Sequence, residues 1–567
     1  MDDMIKILLV QPPMEEFYLT RKRTIPYGLA SICAALENKG YQTKIIDSLA
    51  TDKSKTIEYP KEFSHLKSYY GRDDISLFSL FHRFRHFGYS YEHIATQVRS
   101  EKPFIVGISS LFSAYCDQAL STARTIKKFY PKAYIVMGGH HPTLFPKEVL
   151  DCRAIDFVLR GEGEISLPLL CDALVDGTDL TKIPGIAFRQ KDSFGNKKKI
   201  FINPPAWIKN LTQIPLPLLT RVDQEYYQRN NKASITLVSS RGCPMSCSYC
   251  SVSASSSHAK FRQRNVADVL REIEDQAKQL DIGFIDFEDE NLTLNKKWIL
   301  ALLSGLDEIF KGKPVELRAM NGLYPPSLDR EVIAAMKKSG FKTLNLSVGS
   351  FSKEQLQRFK RPDVRKAHDK VLDIARELGL DCVSYVIAAA PGQDALSSLH
   401  DLLLIAQKRT LAGLSIFYPA PGSLDYEFCR KQKLLPASFS LMRSTALPLD
   451  EKTTRLEAIT LLRLARILNY LKNCIDDHGF LPLAEACNEE STGNCTTIKA
   501  DKAARDTISH KLVQWFLHDG IIRGMGKNGN VYAHEIDQKL SEKFIHEIKK
   551  YPLMGVVKGP LGFPLSD

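Results

Sequence analysis

Short apolar runs alternate with amphipathic stretches through the first 190 residues. IKILLV (Ile5–Val10) reads as a buried strand, IPYGLASICAALENKG (Ile25–Gly40) as a helix stopped at Gly40, and YQTKIID (Tyr41–Asp47) as a second strand. FIVGISS (Phe104–Ser110), a helix around Asp117–Tyr130, AYIVMGG (Ala133–Gly139) and AIDFVLRGEGE (Ala154–Glu164) continue the alternation. Continuous apolar strands separated by helices predict a parallel sheet covered on both faces. Ligands of such sheets sit beyond the carboxyl ends of the strands. The loops there are Gln11-Pro12-Pro13, Ser109-Ser110-Leu111, Gly138-Gly139-His140-His141 and Gly161-Glu162-Gly163-Glu164. The two glycine-bearing loops are expected to let a bulky ligand approach the backbone closely.

Residues about 50–100 interrupt this pattern with an aromatic, histidine-bearing insert (LFSLFHRFRHFGYSYEH), long enough to be a helical lid or cap. Proline-rich residues 191–233 read as a linker. A second series follows over 234–448, with strands expected at Ile235–Ser240, Phe284–Asp289, Val315–Met320, Thr343–Gly349, Cys382–Ala390 and Leu414–Pro419. Six strand–helix units predict an incomplete barrel rather than the eight-unit closed form. From 449 to 567 the pattern turns helical. TRLEAITLLRLARILNYLKNCI has apolar residues at three- and four-residue spacing, and a later helix precedes a hairpin turning at Gly526–Gly529.

The 567 residues imply several domains, and 44% hydrophobic with 25% charged residues excludes wholesale disorder. No apolar run is long enough for a spanning helix, and the acidic start MDDMIKILLVQPP lacks the features of a secretory signal. A cytoplasmic protein with reduced thiols is expected. The formal charge is +12, yet residues 450–567 hold 16 basic and 16 acidic side chains, so the excess lies in the first 449. The balanced C-terminal part argues against a nucleic-acid reader, and no nucleic-acid partner is expected.

The sharpest feature is RGCPMSCSYCS, which puts Cys243, Cys247 and Cys250 just after the first strand of the second series. Structural zinc normally takes four closed protein ligands, and a fully protein-bound [4Fe-4S] cluster takes four thiolates. Three thiols leave one iron of such a cluster open. Zinc completed by a distant histidine or cysteine, or a free-thiol loop, is the alternative on spacing alone.

CPMSCSYC resembles the CxxxCxxC signature of radical S-adenosylmethionine enzymes, with Tyr249 before the third cysteine. The resemblance implies a [4Fe-4S] cluster on Cys243, Cys247 and Cys250, whose open iron chelates S-adenosylmethionine. One electron then releases a 5′-deoxyadenosyl radical in a (β/α)6 TIM-type barrel. Further S-adenosylmethionine contacts it implies are Asp289, Glu290 and Asn291 of FEDEN, Arg318 and Asn321 around the NGL element, and Ser347 and Ser350 of NLSVGS. Ser347 and Ser350 stand where many relatives have a glutamate. Each of these polar residues also has a plain reading as a helix cap or turn former.

The N-terminal part resembles the Rossmann-like (flavodoxin-like) cobalamin-binding domain that precedes many such barrels. LLVQPP, Ser109-Ser110-Leu111, GGHHPT and LRGEGE carry the likeness. It implies cobalamin contacts at Gln11, Pro12, Ser109, Ser110, Leu111, Gly138, Gly139, His140, Gly161 and Glu162. The DxHxxG histidine of cobalamin mutases is missing from VQPPMEEFYLTRKRTIPYG, so the resemblance implies cobalamin without that ligand. It further implies an electron donor such as flavodoxin or ferredoxin, and a small-molecule or lipid substrate. Methylation of an unactivated carbon is the leading expectation. Ring closure or oxidation without net methyl transfer, and a cobalamin- or iron–sulfur-binding regulatory protein, are the alternatives.

Overall fold

The computed structural model describes residues 5–17, 25–191, 198–252, 261–487 and 502–563. Its first sheet holds β1 (Lys6–Gln11), β2 (Gln42–Asp47), β3 (Ile105–Ser109), β4 (Tyr134–Gly138), β5 (Phe157–Leu159), β6 (Ile186–Lys191) and β7 (Lys198–Ile202). The spatial order is β7-β6-β5-β4-β3-β1-β2, with β1 to β5 parallel and the last two strands antiparallel. The order of the five parallel strands reverses between β1 and β3, which opens a crevice at their carboxyl ends. Side chains alternate along β1: Ile7 and Leu9 enter one apolar core, Leu8 and Val10 the other. Helices α1 (Tyr27–Glu37) and α4 (Gly163–Asp176) cover the first face, α2 (Tyr91–Glu101) and α3 (Cys116–Phe129) the second.

Two segments differ from the pattern-based expectation. Strand β7 extends the first sheet into the stretch read as linker, because Lys198–Ile202 pairs along β6; residues 192–197 of that stretch lie outside the described residues. The insert is no helical lid. Ser54–Thr56 and Arg85–Phe87 form a small antiparallel sheet with Met14–Glu16. Phe63, Tyr70, Phe78 and Phe84 are buried in one core with Trp515, Phe516 and Phe544 of the C-terminal region. Its aromatic density reflects interior packing, which periodicity alone does not distinguish from an amphipathic cap.

The second series forms β8 (Lys232–Leu237), β9 (Ile282–Phe287), β10 (Glu316–Arg318), β11 (Thr343–Gly349), β12 (Asp381–Ala388) and β13 (Leu411–Ile416). Strands β8 to β10 pair in parallel, as do β11 to β13, and single parallel bridges at Leu317–Phe341 and Leu323–Leu346 join the two groups. One face carries Ile285, Phe287 and Leu317 into a core shared with the helices. The other face presents Asp286, Arg318, Asn345 and Tyr385, with the Tyr385 hydroxyl donating to Asn345 Oδ1 at 3.0 Å. The edge of β13 is closed by a side chain: Asn469 Oδ1 accepts from Ala412 N at 2.8 Å and its Nδ2 donates to Ala412 O at 2.9 Å. That arrangement removes an exposed strand edge.

Asn469 belongs to α5 (Arg455–His478), which starts in a Thr454/Glu457 capping box and ends at Gly479 in the left-handed region. Helix α6 (Lys502–Asp519), the hairpin β14 (Arg523–Met525) and β15 (Val531–Ala533), and α7 (Gln538–Lys550) complete this part. The hairpin is clasped by the insert: Ile75 N donates to Met525 O at 2.9 Å and the Tyr532 hydroxyl to Asp73 O at 2.8 Å. Among the described residues no helix is long and apolar enough to cross a membrane.

Candidate functional site

The cysteine loop leaves β8 through Ser239 and Ser240, which brace against a fully buried carboxylate. Asp289, just past β9, accepts from Ser239 Oγ at 2.7 Å, from Ser239 N at 3.3 Å and from Ser240 Oγ. Burial raises its pKa, opposed by these bonds. Ser240 and Arg241 then pair with Gln263 and Arg262, and the cysteines follow. Cys247 is buried while Cys243 and Cys250 are part-exposed. Burial, with the neighbouring thiols, pushes Cys243 up to about 11. Ser248 N donates to Phe359 O at 2.8 Å, the Ser248 hydroxyl to Asp425 at 2.9 Å, and the Tyr249 ring meets Phe359 edge-on at 4.9 Å. The loop is thus pinned by segments more than a hundred residues away in sequence.

Asn291 Nδ2 donates to Cys243 Sγ at 2.8 Å. Arg361, which sequence reasoning missed, reaches Cys247 Sγ at 3.7 Å, the Tyr249 hydroxyl at 3.2 Å and the Ser347 hydroxyl at 2.9 Å. Asn291 and Tyr249 therefore lie at the thiols, and Ser347 is joined to them only through Arg361. Glu290 lies beside them, and burial lifts its carboxyl to about 7. The remaining candidates have other partners. Arg318 donates to Glu316 at 2.6 Å and stacks over Phe284, and Asn321 donates to Glu288 at 3.1 Å. Ser350 is fully buried and donates to Asp401 at 2.8 Å, so it does not reach the cysteines. Among the described residues no three His, Cys, Asp or Glu side chains converge as the ligand set of one metal ion. Three pinned thiols with hydrogen-bond donors at two sulfurs fit a multi-iron cluster, whose sulfurs accept such bonds.

The carboxyl edge of the first sheet is built differently. Gln11 and Pro12 end β1, with the Ser48 hydroxyl donating to Gln11 O. Ser109 ends β3, and the Ser110 hydroxyl beyond it is buried without a partner among the described residues. Leu111 and Phe112 are 48% and 57% exposed, an apolar pair at the point where the strand order reverses. A Cβ on Gly138 would meet nothing closer than 3.8 Å. A buried hydroxyl without a described partner and an exposed apolar pair, beside a glycine whose Cβ would make only ordinary van der Waals contact, fit a large macrocycle.

The glycine loops, expected to admit a ligand, instead admit the protein's own chain. Gly139 has φ +120° and its Cβ would lie 2.5 Å from Ser110 O; Gly161 has φ +87° and its Cβ would lie 2.1 Å from Ala206 O. His141 is enclosed, bonded to Ser113 at 3.0 Å and packed on Phe439, and burial pushes it down to about 4. Burial also lowers His140. Glu162 faces the second domain, pairing with Arg262 at 2.9 Å and Arg241 at 3.3 Å. Glu164 holds the same Arg241 at 2.5 Å and accepts from Ser31 at 3.0 Å. Arg241 stands two residues before Cys243, so the GEGE turn ties the first sheet to the cysteine loop.

Residues 237–397 match the radical SAM superfamily and residues 76–170 match the B12 binding domain. The chain carries both domains of the B12-binding radical S-adenosylmethionine enzymes. Its cofactors are a [4Fe-4S] cluster, S-adenosylmethionine and cobalamin. An uncharacterised methyltransferase of Pyrococcus horikoshii is 27% identical over 493 residues, covering 84% of this chain and 96% of that protein. Cytidylyl-2-hydroxyethylphosphonate methyltransferase of Streptomyces wedmorensis is 25% identical over 479 residues, covering 78% and 84%. The fold is shared with OxsB, a cobalamin-dependent S-adenosylmethionine radical enzyme solved with aqua-cobalamin and S-adenosylmethionine bound. That match has a TM-score of 0.61 at 12% identity over 96% of this chain and 79% of OxsB.

Proposed function

We propose that this enzyme methylates an unactivated carbon of a small-molecule or lipid substrate, using S-adenosylmethionine and cobalamin. The observation that carries the reading is the Arg241 junction, where the carboxyl edge of the B12-binding domain grips the chain entering the cysteine loop. The six strands β8 to β13 act as a partial (β/α)6 barrel whose polar inner face holds substrate. When bound, the cluster and S-adenosylmethionine supply a 5′-deoxyadenosyl radical, and cobalamin supplies a methyl group.

The chain's own groups have separable tasks in this reading. Cys243, Cys247 and Cys250 hold three irons. Asp289 braces the loop from below. Glu290, whose carboxyl burial lifts to about 7, and Ser347 meet polar atoms of S-adenosylmethionine in this reading. Arg318 and Asn321 shape the inner face through Glu316 and Glu288. Ser110, Leu111, Phe112 and Gly138 receive cobalamin, whereas Gly139, Gly161 and Glu162 build the edge that presents it. The domains follow as a B12-binding unit through residue 202, a barrel over 232–448 and a C-terminal cap. The protein works in the cytoplasm and draws electrons from a flavodoxin- or ferredoxin-type donor.

Anaerobic reconstitution with iron, sulfide and cobalamin, followed by S-adenosylmethionine and dithionite, tests the reading. Formation of both 5′-deoxyadenosine and S-adenosylhomocysteine is expected, with both lost in Cys247→Ala. Deoxyadenosine without S-adenosylhomocysteine in the presence of substrate would point to ring closure or oxidation instead.

A further inference from the structure

Arg361 is only 8% exposed, and among the described residues it forms no ion pair with a carboxylate. Its Nε donates to Val348 O at 3.0 Å, and its Nη2 donates to Ser347 O and to the Ser347 hydroxyl at 2.9 Å. The other nitrogen, Nη1, is shared between the Tyr249 hydroxyl at 3.2 Å and Cys247 Sγ at 3.7 Å. Burying a guanidinium without a carboxylate is costly unless another negative group neutralises it. The nearest candidate is the sulfur of Cys247, a thiolate once it holds iron. Gly349 makes the approach possible: it has φ +88°, and a Cβ there would lie 3.0 Å from Arg361 Cδ. A second donor arrives from another strand end, Asn291 Nδ2 at 2.8 Å from Cys243 Sγ.

We propose that Arg361 and Asn291 are positioning residues that set the reduction potential of the cluster, by donating to the sulfurs of Cys247 and Cys243. The inference rests on the reading of the cysteine triplet as cluster ligands. Hydrogen bonds to cluster sulfurs and a nearby positive charge favour the reduced, more negative state, so they raise the potential. Arg361 supplies both effects, Asn291 the hydrogen bond alone. Neither residue contacts a substrate in this role.

The test is a redox titration of the reconstituted full-length protein, followed by electron paramagnetic resonance without S-adenosylmethionine. In Arg361→Gln the ratio of reduced to oxidised cluster at a fixed potential should fall about tenfold, which for a one-electron couple is about 59 mV. Arg361→Lys, which keeps the charge but loses the fork, should fall between that variant and the wild type. Asn291→Ser and Gly349→Ala should shift the potential the same way by less. A residue of merely structural importance would lower iron content or melting temperature and leave the potential of the assembled fraction unmoved. Unchanged potentials in Arg361→Gln and Asn291→Ser, at full iron content, would overturn the proposal. If Arg361→Gln holds no iron, Asn291→Ser and Arg361→Lys decide by the same criterion. A wild-type protein that assembles no [4Fe-4S] cluster would instead overturn the reading beneath it.

Discussion

The cysteine loop and the glycine loops of the B12-binding domain both follow parallel strands at their carboxyl edges, and both hold sequence motifs. They use those motifs in opposite ways. In the cysteine loop the motif residues point their chemistry at a ligand, and distant residues such as Asn291, Arg361 and Asp425 hold the loop in place. In the GGHHP and GEGE loops the motif residues hold the protein itself: Gly139 yields to Ser110, Gly161 to Ala206, and Glu162 and Glu164 to Arg241. Among the described residues, the groups left exposed or unpartnered there are the plainer neighbours Leu111, Phe112 and Ser110. A motif therefore marks where backbone geometry or charge is constrained, and only the surroundings tell whether a ligand or the chain imposes the constraint.

The comparison breaks most readily at Arg241. Arg241→Ala leaves Glu164 buried with Ser31 as its remaining partner, and should cost about 3–5 kcal/mol in denaturant unfolding. Adding Glu164→Gln should recover part of that loss, because the uncompensated carboxylate goes with it. No recovery would mean that the junction does not depend on that charge.

A smaller, pH-dependent effect is expected beneath the loop after β11 at Asp401, which holds Ser350 and the Phe351 amide. Burial lifts its carboxyl from 3.8 to about 6. The folded protein then binds a proton that the unfolded chain has released, so stability falls as pH rises from about 4 to about 6. The drop attributable to this group is on the order of 3 kcal/mol. Asp401→Asn can keep the Phe351 amide bond through its Oδ1 while its Nδ2 donates to Ser350 in place of accepting, and it should flatten that part of the pH profile, while an unchanged profile would refute the assignment.

Gly161→Ala sharpens the contrast from the other side. Its Cβ meets backbone oxygen, so a stability loss of roughly 1–3 kcal/mol is expected in thermal or denaturant unfolding, with cobalamin affinity following stability. Leu111→Ser should do the reverse. Unfolding stays within about 0.5 kcal/mol of the wild type, as for an exposed site, while cobalamin binding measured by fluorescence quenching weakens about tenfold, or ~1.4 kcal/mol. Equal effects of the two variants on binding would erase the distinction.

Much of this arrangement was legible in the residues. The strands declared themselves by two patterns: IKILLV is a continuous apolar run from Ile7 because both of its faces are buried, and TLNLSVG alternates because Leu344 and Leu346 enter the core while Asn345 lies on the opposite face. The cysteine triplet was legible because its chemistry is local. Arg361 was not, since the contact with Cys247 spans 114 positions and RFKRPD reads as an ordinary basic surface turn. Ser350 looked like a site residue by its position after a strand, yet its hydroxyl turns inward to Asp401. The aromatic insert misled for a similar reason: Phe63 and Phe84 complete a core whose other half, Trp515 and Phe544, lies over 400 residues later.

Mössbauer spectroscopy of protein loaded with enriched iron under anoxic conditions tests the central assignment most directly. The account predicts a [4Fe-4S] spectrum in which one iron site, lacking a protein thiolate, changes when S-adenosylmethionine is added. Metal analysis of the same sample showing one zinc per chain, with no cluster spectrum and thiolate coordination at the triplet, would contradict it.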